Sequence, residues 1–444
     1  MGRLETRIGL LCYTLPMITH HHMERRDKVR AKMEDGDVLL LFATPEGHEM
    51  GGAPRFYQDR NFLYLSGFPE PDAALILIPG DSSPYKLFVR PRNPDLERWT
   101  GRRFGMEGAR DVFGADEAFS FESLEEKLTE LLFGKRRLFY RFGVRSEYDA
   151  MVLRVLTHLR RNQKPENNPG AVVDSGQILH PLRLIKTQDE IELTRKSVQI
   201  AMKAFASAIK ETRVGMFEYQ VEAMVEEIYR FEGGDGPSFP TIVAAGVNAT
   251  YLHYVENSKQ IEPGELFLLD SGCLYGGYAS DLTRTFLPET QAPTPEQNAI
   301  YDAVLAIEQT MVDEVRPGIS LYELNQICQR KVTSALVDLG ILSGDIEEIV
   351  TSNRHKTFFP HRLGHWLGSD VHDAGSFGME DPGLKLAPGM MLTIEPGIYI
   401  PEDAEGSAKP FAGIGVRIED DVLVTAEGRE NLSIDLPRDI VFTG

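Results

Sequence analysis

The chain has 444 residues, with 47 Lys and Arg against 67 Asp and Glu, a formal charge of −20. That length fits two domains around a large buried core, and the acidic balance argues against nucleic acid or an anionic membrane as the main partner. Cys12, Cys273 and Cys328 are too scattered for a disulfide framework or a zinc finger, no apolar run reaches membrane-spanning length, and the reducing cytoplasm is the expected location.

Residues 1–22 read as an extension outside the native domain. Residues 8–18 are moderately apolar behind Arg3 and Arg7, but no small-residue cleavage site follows. His20, His21 and His22 lack the context of a metal site, and MERRDKVR from Met23 reads as a natural beginning. Residues 23–180 are expected to form a small α/β domain. Short apolar runs at 38–42, 62–65, 73–78 and 85–89 predict strands, and one-sided apolar periodicity predicts helices at 121–132 and 147–161. With no phosphate-binding loop and no nucleophile elbow, this domain carries no visible chemistry. It is read as the means of self-association into a homo-oligomer, dimer or tetramer, with Trp99 as a candidate contact.

Turn formers crowd residues 167–183, and a second domain, 181–444, is expected from there. Thr187 and Glu190 form a capping box, opening a helix whose stripe is Val198, Met202, Phe205 and Ile209; another helix is predicted at 217–231. Residues 238–257 read as two strands around a turn at 246–248. Thr294 to Gln297 form another capping box, with Pro295 at the first helical position, ahead of the stripe Ile300, Val304, Ile307, Met311. Ser320 and Glu323 cap the next helix. An internal echo accompanies this order: RVGMFEY from Arg213 is matched by RPGISLY from Arg316. Each turn joins two helices, and each pair of helices leads into strand-rich sequence with acidic residues. Two such halves predict a pseudo-symmetric domain with a site between them.

The chemistry concentrates in those strands. LFLLDSGCLYGGYASDLTRTF carries Asp270 and Asp281; with Tyr275-Gly276 as the turn, the two aspartates are expected directly opposite each other, about 5 Å apart at Cβ. Two carboxylates that close in an apolar strand pair repel unless a cation lies between them. Glu395 ends the apolar run MLTIE, and Arg417 and Glu419 share one face of VRIE at period two. His361, His365 and His372 fall within the Gly-rich segment HRLGHWLGSDVH. Four acids in apolar strands, accompanied by histidines, indicate a site rather than four satisfied structural groups. A set rich in oxygen donors with one imidazole suits a pair of hard divalent cations such as manganese, cobalt or iron, with zinc as a further option.

In combination, the motifs LLDSGCLYGGYASDLTRTF, HRLGHWLGSDVHD, TIEPGIY and GIGVRIEDD resemble the aminopeptidase P and prolidase family, and the resemblance runs from about Met23 to the end. It implies an α/β (α+β) protein: a small N-terminal α/β domain and a pseudo-symmetric C-terminal catalytic domain with the pita-bread fold. It also implies two divalent metal ions, manganese first, held by Asp270, Asp281, His365, Glu395 and Glu419, with Asp281 and Glu419 bridging. His253, His361 and His372 match the family's substrate-site and proton-shuttling histidines, and Arg417 its supporting arginine; Glu395 is also the candidate proton acceptor. The expected activity is that of an Xaa-Pro aminopeptidase acting on peptides with proline in second position. A prolidase is the runner-up, and a catalytically inactive peptide-binding homologue is a reading from another class. Arg362 departs from the glycine often found in relatives. It is a possible cation near the site, but because it adjoins His361, where neighbouring side chains point apart, it need not face the substrate.

Overall fold

Six apolar segments of the first part of the chain hydrogen-bond edge to edge. In the computed structural model, which describes residues 20–47, 56–162, 164, 167–288, 292–375 and 381–440, they form one mixed sheet. The stretch 8–18 and Cys12 lie outside the described residues. The chain divides into two units, Met1–His180 and Pro181–Gly444.

In the first unit the sheet runs Glu117–Ser120, Tyr85–Val89, Ala74–Leu77, Asp37–Phe42, Arg137–Phe139, Ala171–Val173. Its core packs Val38, Leu40, Ala74 and Ile76 against Leu128, Leu132, Val152 and Leu156 of helices Leu124–Leu132 and Ser146–Asn162. Residues 62–65 are helical, not a strand. Asp59 caps helix Arg60–Ser66 by accepting from the Phe62 N–H, and Gly67 closes it at φ 64°. A four-residue apolar run carries no period that separates strand from helix, so the caps decide. Helix His20–Arg30 includes His22, which is buried with Nδ1 3.0 Å from the Tyr64 carbonyl. His22, ahead of Met23, therefore takes part in this fold. Trp99 lies on helix Pro94–Thr100 and is 87% exposed.

The second unit is built twice. Helices Gln188–Glu211 and Glu218–Phe231 pack on the sheet Ile242–Ala245, Phe267–Ser271, Leu282–Phe286; helices Pro295–Glu314 and Leu321–Asp338 belong to a second core with Met391–Ile394 and Asp420–Val424. The sequence echo has a structural counterpart. Gly215 and Gly318 turn at φ 89° and 88°. The Gly215 N–H donates to Ile261 O and the Ile261 N–H to Met216 O; the Gly318 N–H donates to Leu386 O and the Leu386 N–H to Ile319 O. Counted from those matched bridges, Asp270 and Glu395 stand equally far downstream, one from each half. Arg284, fully buried in the first half, donates to the Glu419 carbonyl and to Asp420 in the second.

Two expectations about this unit change. Residues 246–250 form a 3-10 turn, and residues 251–257 contain no strand. Glu218, fully buried, instead gathers the loop: its carboxylate accepts from the Ala245 N–H, Asn248 Nδ2, the Tyr254 hydroxyl and the Lys259 N–H. That loop carries His253. Glu218→Ala leaves these donors without their acceptor and is expected to cost about 3 kcal/mol or more. Denaturant unfolding checks this; unchanged stability would show that the loop does not depend on Glu218.

The aspartate pairing is also different. The two-residue turn is Gly276-Gly277, at φ 57° and 81°, not Tyr275-Gly276. Consecutive positive φ values twist a hairpin in the sense its strands require, and two glycines accept them without strain. The register moves accordingly. Asp270 faces Thr283, and Asp281 lies one diagonal step away on the same face rather than directly opposite. Diagonal neighbours stand roughly 7–8 Å apart, which leaves more room between the two carboxylates than direct opposition.

Candidate active site

Strand ends from both halves converge on one cavity of about 430 Å³, whose lining includes His253, Asp270, His361, Arg362, His365, His372, Glu395 and Arg417. Phe267–Ser271 supplies Asp270, and Asp281 directly precedes strand Leu282–Phe286. Glu395 follows Met391–Ile394, and Glu419 lies between Gly415–Arg417 and Asp420–Val424. The two halves meet where the Glu419 N–H donates to the Thr283 carbonyl.

One carboxylate oxygen each from Asp281 and Glu419 and one ring nitrogen of His365 lie within 4.8 Å of one another. His365 Nε2 is 3.3 Å from Asp281 Oδ2 and 3.7 Å from Glu395 Oε1. Its Nδ1 is 3.1 Å from the Trp366 carbonyl, which only accepts, so Nδ1 carries a proton and Nε2 is the ring nitrogen turned toward the acids. Asp270 is turned in from the side. Its Oδ2 accepts from Arg417 Nη2 at 2.6 Å, while its buried Oδ1 has no hydrogen-bond partner. Glu419 Oε2 accepts from Thr283 Oγ1 at 2.6 Å.

So many acids in one buried place hold protons that carboxylates ordinarily lose. Burial, then Asp270 and Asp421, raises the Asp281 carboxyl well above its usual range; burial and Asp281 do the same to Glu419. Burial pushes Glu395 up to about 7. An orphaned buried carboxylate oxygen, an imidazole nitrogen turned toward the acids, and clustered acids raised by burial and then by one another all suit divalent cations.

Cation binding must displace these protons. Affinity for a divalent metal is therefore expected to fall as pH drops below about 7, by up to tenfold per pH unit for each proton released. Calorimetric titration in two buffers of different ionisation enthalpy measures the release. A proton count of zero at pH 6 would contradict this.

The histidines divide. His253 and His372 are exposed to the cavity, and the His372 ring sits edge-on to that of His365 with centroids 4.1 Å apart. Burial holds His372 neutral, down at about 4, and His361 at about 3. In His361 both ring nitrogens are engaged: Nδ1 lies 2.7 Å from the Arg362 carbonyl and Nε2 2.8 Å from the Tyr399 hydroxyl. As arranged, its one N–H is directed to the Arg362 carbonyl. Arg362, whose direction the sequence left open, is among the residues lining the cavity.

Sequence reasoning missed several supports. Tyr399 stands between His361 and Arg417, and Thr283 links Arg417 to Glu419. Asp373, a buried residue of the cavity wall, pairs with Arg183 at 2.5 Å and Lys186 at 2.9 Å; although burial opposes its charge, these two cations keep its carboxyl below the usual range. All three lie in or beside the motifs quoted for the site, but nothing in their spacing separates a support from a neighbour.

Residues 192–426 match the model of metallopeptidase family M24, and residues 22–153 match that of the aminopeptidase P N-terminal domain. The chain belongs to metallopeptidase family M24. Family membership and the donor set together imply the use of divalent metal. Among M24 relatives, the Xaa-Pro aminopeptidase of Escherichia coli is 40% identical over 92% of this chain and 93% of its own, and human Xaa-Pro aminopeptidase 3 is 36% identical over 91% and 79%. The solved zinc-substituted E. coli aminopeptidase P in complex with product superposes with a TM-score of 0.90 at 38% identity, covering 95% of this chain and 96% of that one. The α/β N-terminal domain and the pita-bread catalytic domain are thus those of aminopeptidase P structures. Among the described residues, no helix is long and apolar enough to cross a membrane.

Proposed function

We infer that this M24 chain is an Xaa-Pro aminopeptidase, a metal-dependent exopeptidase that releases the first residue of peptides whose second is proline. The observation that carries this is the match along both domains, over nine-tenths of the chain, to proteins with that activity. In this reading Asp270, Asp281, His365, Glu395 and Glu419 would hold two divalent cations, Asp281 and Glu419 serving both. Manganese is the proposed metal, on the strength of the oxygen-rich set. Metal pairs of this kind lower the pKa of a water toward ~7 and polarise the scissile carbonyl.

The protein's own residues do the rest. Glu395, raised by burial, takes up the proton of the attacking water. His253 and His372, facing the cavity, stabilise the developing charge, and His253 returns a proton to the leaving nitrogen. Ahead of proline that nitrogen carries no hydrogen, so the site needs space for a ring and no acceptor for an N–H. Arg417 holds Asp270 in orientation through the 2.6 Å contact.

The test compares Xaa-Pro-Yaa tripeptides with Xaa-Pro dipeptides on manganese-loaded enzyme. Tripeptides are expected to show the higher kcat/KM. A dipeptidase needs a cation for the free carboxylate, and Arg362 lines the cavity, so the comparison includes Arg362→Gly. The expected result is little change in preference. Better cleavage of dipeptides, lost in Arg362→Gly, would make the enzyme a prolidase.

A cytoplasmic location accords with Cys273 and Cys328, which are buried and unpaired. Self-association through the N-terminal domain accords with the bare indole of Trp99. Light scattering is expected to show an oligomer that Trp99→Ala weakens; a monomer at all working concentrations would end that idea.

A further inference from the structure

His372 follows His365 by seven positions, yet the two ring centroids lie 4.1 Å apart. No helix or strand covers residues 367–373, so regular hydrogen bonding does not set that distance. One carbonyl joins the two ends of the loop: the Trp366 oxygen accepts from the Asp373 N–H at 2.9 Å and lies 3.1 Å from His365 Nδ1. The Asp373 carboxylate is held on both sides. Its Oδ1 accepts from Arg183 Nη2 at 2.5 Å and its Oδ2 lies 2.9 Å from Lys186 Nζ; the acid, guanidinium and ammonium side chains are 1%, 4% and 1% exposed. Arg183 Nη2 also reaches Ser369 Oγ at 2.8 Å and Asp370 Oδ2 at 2.7 Å. One guanidinium, in the last turn of helix Gly176–Leu184, thus grips three residues of the loop. Lys186 is fixed in turn, its N–H donating to the Gly389 carbonyl. The clamp leaves no slack: a Cβ at Gly368 would stand 2.2 Å from Asp373 Oδ2 and 2.8 Å from Lys186 Cε. Ions buried in this way add little net stability, because desolvation offsets most of their attraction. Their charge-assisted bonds are short and directional, so what the cluster supplies is a fixed geometry.

We propose that Asp373 is a positioning residue: clamped between Arg183 and Lys186, it anchors the far end of this loop and sets the separation of the His365 and His372 rings in the cavity. The kinetic part of the test rests on the Xaa-Pro aminopeptidase reading; the spectroscopic part does not.

The experiment uses the full-length protein, manganese-loaded for kinetics and zinc-loaded, with protonated histidine in an otherwise deuterated chain, for nuclear Overhauser spectra. His372→Gln identifies the His372 signals by their loss. The wild type is expected to show a ring-to-ring contact between His365 and His372, and Asp373→Asn to lose it. Against an Xaa-Pro-Yaa peptide, Asp373→Asn is expected to lower kcat about a hundredfold with KM changed less than about threefold, as for a group displaced by about 1 Å. The same variant leaves two buried cations one acid short, so its Tm should fall by roughly 6–12 °C. Combining Asp373→Asn with Lys186→Met removes that imbalance and separates the two effects. Tm is expected to return to within about 3 °C of wild type, while kcat and the ring contact stay lost. Recovery of kcat and of the contact in the double variant would overturn the proposal, because the acid would then only balance charge. A double variant that regains no stability would overturn it too, making Asp373 a requirement of folding. So would a wild-type spectrum without the contact, or Asp373→Asn that keeps both contact and kcat. Wild-type protein that turns over no Xaa-Pro peptide would sink the functional reading instead, and the ring contact and Tm of the same proteins would decide the role of Asp373 by themselves.

Discussion

Glu419→Ala is expected to bind at least one metal equivalent fewer than wild type and to lose more than about a thousandfold in kcat/KM, the ~4 kcal/mol that one lost charge-stabilising contact removes from a transition state. Glu419 is 2% exposed, and its Oε2 is held by Thr283. It shares its surroundings with Asp281, Glu395 and Asp270. Removing it withdraws the carboxylate proposed to be shared by two cations, and their mutual repulsion is no longer offset. The fold should survive, because the Glu419 backbone keeps its own bonds: its N–H to the Thr283 carbonyl, its carbonyl to Arg284. Metal analysis of the purified variant beside its far-ultraviolet spectrum is the direct check. A folded variant with a full metal complement would remove Glu419 from the proposed ligand set.

The second large effect is expected at a residue with no side chain. Gly272 links strand Phe267–Ser271 to Cys273–Tyr275 where the hairpin bends. A Cβ there would lie 1.7 Å from the Ser280 carbonyl oxygen and 2.4 Å from Ser238 Oγ. The nearest obstacle is backbone and cannot swing aside, so Gly272→Ala must move one strand of the bend. About 3 kcal/mol is a reasonable cost for forcing a methyl into a packed site, which in a domain of this size lowers Tm by roughly 6–12 °C. Ser280 immediately precedes Asp281, and Asp270 lies just upstream of Gly272, so the displacement reaches both aspartates. Thermal unfolding and metal titration should therefore fail together. Wild-type Tm and metal affinity in Gly272→Ala would show that the bend is more yielding than its contacts imply.

Much was determined by the sequence alone. The boxes opening at Thr187, Thr294 and Ser320 start helices where they were expected, because a cap is a local bargain between a side chain and the next few N–H groups. The duplicated turn at Gly215 and Gly318 was legible for the same reason. Acids set in apolar strands marked the site, since a buried carboxylate without a partner is too costly to be incidental.

What only the tertiary structure decided was register and partnership. Tyr275-Gly276-Gly277 offers two possible turns, and a shift of one residue replaces Asp281 by Thr283 opposite Asp270. Period-two alternation says which residues share a face, not which face each other. The loop 246–259 alternates like a strand, yet Glu218, from a distant helix, claims its donors first. His361 looked like a free acid–base group until the Arg362 carbonyl and the Tyr399 hydroxyl occupied both its nitrogens. Each of these outcomes depends on a hydrogen-bond partner far away in sequence, or on the backbone's own turn. A linear pattern of residue types reports the donors and acceptors a chain carries, and only the folded geometry pairs them.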